Sequence, residues 1–459
     1  MATAAAAEAL RERALPEWYD DAKLGIFIHW GPASVPGWAP RGASMASVTQ
    51  GDFDADRFRE LLLENPYADW YWNGLALEGS ATRAYHDRSW GPEVEYDEFV
   101  RRFRSGLSAW SADAWAALFQ RAGARYVVLV TKHHDGFLLW PSRHANPFRE
   151  GWQCERDLVG ELATAVRARG MRLGLYYSGG IDWTFGGLPV RDMKSLLTGT
   201  PQSDAYAAHA DAHWRELIER YQPSVLWNDI GYPRAGEPLK LFADYYAAMP
   251  EGVVNNRFTV AGYTSSERHA DFETPEYTVP PEIRPAKWEA TRGIGHSFAF
   301  NRNEAAEAHL SATEAIHLLV DVVSKNGNLL LNVGPRSDGR IPWRQEQLLD
   351  ALGAWLDVCG EAIFGTRPWS RAEGSLANGS PVRFTQRGDT LYAIVLAAPR
   401  EASLELRDLA LAGDARIDLL GHPTPVKWQR RGPHLAITLP ETGTRAPAYV
   451  LRIRPAPPA

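Results

Sequence analysis

Two cysteines, Cys154 and Cys359, are all that 459 residues contain. That is too few for a disulfide framework or a four-ligand zinc site. Long apolar runs are missing too: none approaches the 18 residues that a membrane-crossing helix needs. No stripe rich in Lys and Arg occurs, and 49 basic against 56 acidic residues leave a formal charge of −7. Nucleic acid and anionic membrane surfaces are therefore poor partners. The amino terminus lacks a leading basic cluster and an apolar core of secretory type, and Glu8 interrupts its alanines; a cytoplasmic location is the expectation. No GxGxxG turn follows the first β-run and no HExxH is found, so the usual marks of a dinucleotide fold and of a zinc protease are absent.

What remains is an ordinary globular composition, 45% hydrophobic and 23% charged, on a chain long enough to bury a large core. Tryptophan is the exception, at eighteen residues. Indoles fill cores and interfaces, and they also serve as stacking platforms for sugar rings; composition does not choose between these uses.

Short β-branched runs alternate with amphipathic helices. GIFIH (25–29), RYVVLVT (125–131), MRLGLYY (171–177), SVLW (224–227), VVNN (253–256) and LLLNV (329–333) read as strands. Helices are expected from Ser111 to Gly123, after Asp157 and over about 204–221, 238–248, 311–326 and 342–358. Continuous apolar strands separated by helices mean a parallel sheet covered by helices, and a (β/α)8-like barrel fits better than an open sheet. The stretches 32–105 and 258–310 read mainly as loops. From about 370 short alternating strands take over, the pattern of an all-β sandwich. The expected organisation is an N-terminal extension at 1–14, the barrel at 15–368 and a C-terminal β-sandwich domain at 369–459, ending in a disordered PAPPA tail.

Active sites of such barrels form at the C-terminal ends of the strands. There the chain carries His29, then Lys132-His133-His134-Asp135, Tyr176-Tyr177, Trp227-Asn228-Asp229 and Asn256-Arg257. Neighbouring tyrosines on one strand point to opposite faces, so at most one of Tyr176 and Tyr177 faces the pocket. A lone Asp after a strand is ordinarily a cap or turn residue, but Asp229 belongs to the cluster. His133, His134, Asp135 and Asp229 could supply metal ligands, yet no carboxylate-rich surround supports that use. The glycines of SGGIDWTFGG (178–187) suit a flexible loop at the barrel mouth better than a phosphate cradle. Cleavage of a glycosidic bond needs two carboxyl groups flanking it. Asp229 can be one; Asp271, Glu273 and Glu276 are candidates for the other, and Glu276, between Pro275 and Tyr277, has the driest immediate neighbours.

Seven segments carry a resemblance: AKLGIFIHWGPASVPGWAP (22–40), NPYADWYWN (65–73), AGARYVVLVTKHHDGF (122–137), LWNDIGYP (226–233), DFETPEY (271–277), KWEATRGIGHSFAFNRNE (287–304) and SKNGNLLLNVGPRSDGRIP (324–342). Over about residues 15–370 the chain resembles the α-L-fucosidases of glycoside hydrolase family 29. The resemblance implies Asp229 as nucleophile and Glu276 as acid/base. It implies fucose contacts from His29, Trp70, His133, His134, Tyr176, Trp227, Arg257 and Phe298, and from Asp69, which stands where many relatives have Glu. The implied activity is a retaining exo-α-L-fucosidase working through a covalent fucosyl-enzyme, for which the carboxyl groups stand about 5–5.5 Å apart. Partners are then fucosylated glycans or glycosides, with no cofactor or metal and the oligomeric state open. The alternatives are a non-catalytic fucose-binding pseudoenzyme and a metal-dependent hydrolase on the same barrel.

Overall fold

The computed structural model describes residue 10 and residues 12–42, 54–259, 268–397, 403–440 and 446–457. The barrel strands are β1 (Leu24–Ile28), β2 (Tyr126–Lys132), β3 (Arg172–Ser178), β4 (Val225–Asp229), β5 (Val253–Val254), β6 (Trp288–Gly293) and β7 (Gly327–Val333). They form one parallel sheet in the order β5-β4-β3-β2-β1-β7-β6. The gap between β5 and β6 is filled by an irregular eighth stave. Phe272 pairs with Asn255, while Glu273 and Glu276 pair with Trp288 and Thr291, all in parallel sense.

The described helices are α1 (Glu17–Ala22), α2 (Ala55–Leu63), α3 (Tyr71–Ala76), α4 (Ala81–Ser89), α5 (Tyr96–Gly106), α6 (Ala112–Arg121), α7 (Leu158–Ala168), α8 (Met193–Thr198), α9 (Asp204–Tyr221), α10 (Pro238–Ala248), α11 (Ala312–Ser324) and α12 (Trp343–Cys359). Their starts follow local chemistry. Ser111 accepts from the Ala114 amide, Asp157 from Gly160 and Ser203 from Tyr206, and Ser311 and Glu314 form a reciprocal capping box.

Alternation along the strands sorts the core. Phe27, Val128, Val130, Tyr176, Val225, Trp227 and Leu330 fill the barrel with Tyr19 of α1, which plugs the floor. Ile26, Ile28, Val127, Leu129, Leu173, Leu175 and Tyr177 face outward into the core shared with the helices. Both faces are therefore buried, which is why these strands read as unbroken apolar runs.

One of the loop expectations fails. The stretch 32–105 carries α2 to α5 within its described residues, and in α5 the buried Tyr96, Phe99, Val100 and Phe103 repeat at helical spacing beneath a charged outer face. The stretch 258–310 is mainly loop in its described residues, as expected, but also carries β6 and the eighth stave; β6 is the sequence WEATRG, whose inward Glu289 and outward Arg292 conceal it from a search for apolar runs. VVNN shortens to the two-residue β5, because Asn255 pairs with the eighth stave and Asn256–Phe258 turns as a 3-10 helix.

The C-terminal strands are β8 (Arg367–Ser375), β9 (Pro381–Arg387), β10 (Thr390–Val395), β11 (Ser403–Leu406), β12 (Arg416–Leu419), β13 (Lys427–Arg431), β14 (His434–Thr438) and β15 (Tyr449–Arg454). They build two antiparallel sheets, β12-β15-β10-β9-β8 and β11-β14-β13. Between them lies a separate core with Val382, Phe384, Leu391, Leu406, Ile437 and Leu451. The opposite face of the larger sheet sends Tyr392, Ile394 and Val450 into the barrel's outer core. The tail is ordered further than expected: the Ala456 amide donates to the Asp389 carbonyl at 3.1 Å, and Pro458 and Ala459 lie outside the described residues.

Gly25 leaves room inside the barrel for the Tyr126 ring, which an added Cβ would approach to 2.4 Å. Gly25→Ala should lower stability by about 1–3 kcal/mol through overpacking, read from urea unfolding. Gly413→Ala, whose Cβ would meet nothing within 4 Å, should leave the midpoint nearly unchanged.

Candidate active site

At the C-terminal ends of the strands lies an open cavity. Each stave brings a piece of its wall or of the frame behind it. His29 follows β1, His133 and His134 join β2 to its loop, Tyr176 is in β3, and Trp227 and Asp229 are in β4. Arg257 lies in the turn after β5, Glu276 ends the eighth stave, Phe298 follows β6, and Asn332 of β7 supports His29. Asp69 and Trp70 come from a 3-10 turn, Ala68–Trp70, in the long β1–α6 connection.

Asp229 is held by three donors. Its Oδ2 accepts from the Tyr176 hydroxyl at 2.9 Å, and its Oδ1 accepts from Arg257 Nη1 at 2.8 Å and the Ile230 amide at 3.0 Å. Arg257 reaches onward: Nη2 donates to Glu276 Oε2 at 3.3 Å and to the Thr274 carbonyl at 3.1 Å, while Nε donates to Thr274 Oγ1. One guanidinium thus spans both carboxylates. Its Cζ sits 4.7 Å above the Trp227 ring. The other oxygen of Glu276, Oε1, accepts from the Tyr67 hydroxyl at 2.8 Å. The dry surroundings expected for Glu276 are not found. Its side chain is 26% exposed and polar groups hold both oxygens.

The histidines are neutral hydrogen-bonding groups. The Asn332 amide donates to the Phe298 carbonyl, which turns its oxygen toward His29 Nδ1 at 2.7 Å. His29 must therefore carry its proton on Nδ1 and offer Nε2 as an acceptor. The Ser178 hydroxyl donates to the Ile181 carbonyl, so His134 Nδ1 donates to Ser178 Oγ at 2.6 Å and Nε2 is again the acceptor. Burial lowers His29 to about 4 and holds His133 and His134 well below the usual imidazole range. Burial acts oppositely on Asp69, raising it to about 7, with Glu276 and Asp229 adding to the effect. One Asp69 oxygen accepts from the Ala299 amide at 3.1 Å, and the other lies 3.6 Å from His133 Nε2.

The family model described as α-L-fucosidase matches residues 2–361, and the α-L-fucosidase C-terminal domain model matches residues 377–454. Tissue α-L-fucosidase of Bos taurus is 33% identical over 448 residues, covering 94% of this chain and 86% of its own. Among solved structures, Thermotoga maritima α-fucosidase in complex with fucose superposes with a TM-score of 0.85 at 41% identity, covering 97% of this chain and 98% of its own. The same enzyme with a mechanism-based inhibitor gives 0.86 at 41% identity and the same coverage. The chain belongs to the α-L-fucosidase family of glycoside hydrolases. The family match at 377–454 extends the resemblance into the β-domain, where no sharp motif was read.

All eleven residues named from the sequence line the one cavity. Of the tyrosine pair, Tyr176 faces it, whereas the Tyr177 hydroxyl contacts His213 of α9 on the outside of the barrel. The other two acidic candidates of the 269–277 segment point away: Asp271 pairs with Arg13 and Glu273 with Arg284. Asp135 leaves the cluster to accept from Tyr96, and among the described residues no three His, Cys, Asp or Glu side chains gather as a metal-binding group. Gly179 and Gly180 are close-approach residues: a Cβ on Gly180 would lie 1.8 Å from the Ile230 carbonyl oxygen, and its amide donates to the Asp229 carbonyl. Tyr67, Asn332 and Ser178 were missed. Tyr67 stands two residues before Asp69 within NPYADWY, so its motif was in view although its contact was not.

Asp69 supplies a pH test within this α-L-fucosidase scaffold. Its folded pKa is raised, so its contribution to stability is fully present below the unfolded value near 4 and is lost as pH rises through about 7. Asp69→Asn removes that titration. Its melting temperature relative to wild type should climb between pH 4 and pH 7 and level off above, as calorimetry across that range would show.

Proposed function

We propose that the chain is a retaining exo-α-L-fucosidase in which Asp229 is the nucleophile and Glu276 the acid/base. The observation that carries this reading is the single guanidinium of Arg257 in contact with both carboxylates, 2.8 Å from Asp229 and 3.3 Å from Glu276. Asp229 attacks the anomeric carbon as the bond to the glycosidic oxygen breaks, and Glu276 delivers its proton to that oxygen. A fucosyl ester of Asp229 results. Glu276, now a carboxylate, takes a proton from water as the water attacks the same carbon, so fucose leaves with its original anomeric configuration. The mechanism-based inhibitor and the fucose bound by the Thermotoga relative support a site of this kind.

The remaining lining suits a 6-deoxy sugar. Nε2 of His29 and of His134 accept from ring hydroxyls, and Trp70 and Phe298 offer a wall that a methyl group satisfies and a hydroxyl does not. Such a pocket rejects a hydroxylated relative of fucose by only about a hundredfold.

Asp229→Ala should lower kcat for an aryl α-L-fucoside by about a thousandfold or more. Added azide should restore turnover with β-fucosyl azide as product; near wild-type activity would remove Asp229 from the mechanism. Glu276→Ala should lose most activity on substrates with poor leaving groups and little on activated aryl fucosides. A loss independent of leaving group would move the acid elsewhere. Binding of fucose without hydrolysis would favour a pseudoenzyme, and loss of activity with a chelator would favour a metal-dependent hydrolase.

A further inference from the structure

The catalytic cavity is larger than its polar end. His29, His134, Tyr176 and Asp229 supply hydrogen-bonding groups where a single sugar ring would sit, but the same cavity continues along Phe58, Met193, Leu196 and Ile230. None of these four side chains can donate a hydrogen bond, and only the Met193 thioether accepts one, weakly. They come from three separate connections: Phe58 from α2, Met193 and Leu196 from α8, and Ile230 from the turn directly after Asp229. All four join one hydrophobic cluster with Tyr67 and Tyr277, the residues that contact and follow Glu276. The acid therefore sits at the edge of this wall, and the oxygen it protonates leaves along it.

Ile230 supplies an independent sign. Its φ is +54°, a left-handed backbone that a β-branched residue adopts only under constraint from its surroundings. The Asp229 carboxylate accepts its amide, and its carbonyl packs against Gly180. Asn or Gly would relieve the strain at this position; an isoleucine keeps an apolar side chain on the pocket wall.

We propose that Phe58, Met193, Leu196 and Ile230 form a leaving-group subsite that takes an apolar aglycone, aryl or alkyl, in preference to a sugar. This rests on the fucoside-hydrolase reading and adds a substrate class to it. A saccharide leaving group would surrender water to a surface offering its hydroxyls no more than one weak sulfur acceptor, whereas an alkyl chain gains by the same contact.

Methyl and hexyl α-L-fucosides test the subsite, because both release a simple primary or methyl alcohol and differ chiefly in apolar area. Each methylene moved from water onto the wall is worth about fourfold in binding, so kcat/KM for the hexyl compound should exceed that for the methyl compound by at least about tenfold. Leu196→Ser and Ile230→Asn should each cut that ratio by about threefold or more. Ile230→Asn should also keep or raise the melting temperature, since it relieves the left-handed strain, and 2′-fucosyllactose should be a poorer substrate than the hexyl fucoside. A wild-type ratio near one, or a ratio unchanged in both variants, overturns the subsite. If neither fucoside is hydrolysed, the functional reading fails instead. Calorimetric affinities then decide the subsite alone: tenfold tighter binding of hexyl fucoside supports it, and equal affinities overturn it.

Discussion

A single positive charge organises the pocket. Arg257 contacts Asp229 on β4, Thr274 and Glu276 on the eighth stave, and the face of Trp227 below. Burial works against the guanidinium's charge, but the two carboxylates outweigh it and its pKa ends above the ordinary value. A point-charge ammonium could not make the same set of contacts, because only the planar fork reaches two carboxylates while lying flat on an indole. Two acidic groups drawn from different parts of the barrel are thereby kept at one rim.

The interior below supports that arrangement. Trp227 donates its indole N–H to the buried Glu289 of β6 at 3.0 Å, and Tyr19 and Tyr126 donate to the same carboxylate. Burial raises the Glu289 pKa, and three neutral donors satisfy its oxygens. Tyr19 brings α1 into this network, so the plug at the floor and the ring at the rim share one chain of contacts. Tyr176 stacks on Trp227 with centroids 5.4 Å apart while its hydroxyl holds Asp229. The nucleophile is therefore positioned by packing from beneath as well as by the arginine beside it, and preorganised donors of this kind do not have to reorganise during the reaction.

Legibility from sequence followed the kind of signal each element carries. The apolar strands and capped helices could be read because burial on both faces and local side-chain–backbone bonds leave their mark within a few residues. β6 turns Glu289 and Thr291 inward and has no apolar run, and β13 is an exposed edge strand of sequence KWQRR. Neither pattern resembles a buried strand. The eighth stave is harder still: its pairings at Asn255, Trp288 and Thr291 are isolated bridges, so it exists only because both neighbours are already in place. The choice of Glu276 over Asp271 and Glu273 belongs to this class, since the pairing of Arg13 with Asp271 joins residues 258 positions apart.

By itself the sequence determined which groups would arrive at the barrel mouth. Strand ends are local features, and eleven side chains named from motifs face one cavity. Tertiary structure decided how those groups are used: which carboxylate meets Arg257, which imidazole nitrogen keeps its proton, and which tyrosine turns inward. Those outcomes depend on distances of a few tenths of an ångström between residues far apart in the chain. Such distances are set only when the staves close on one another and bring these groups into contact.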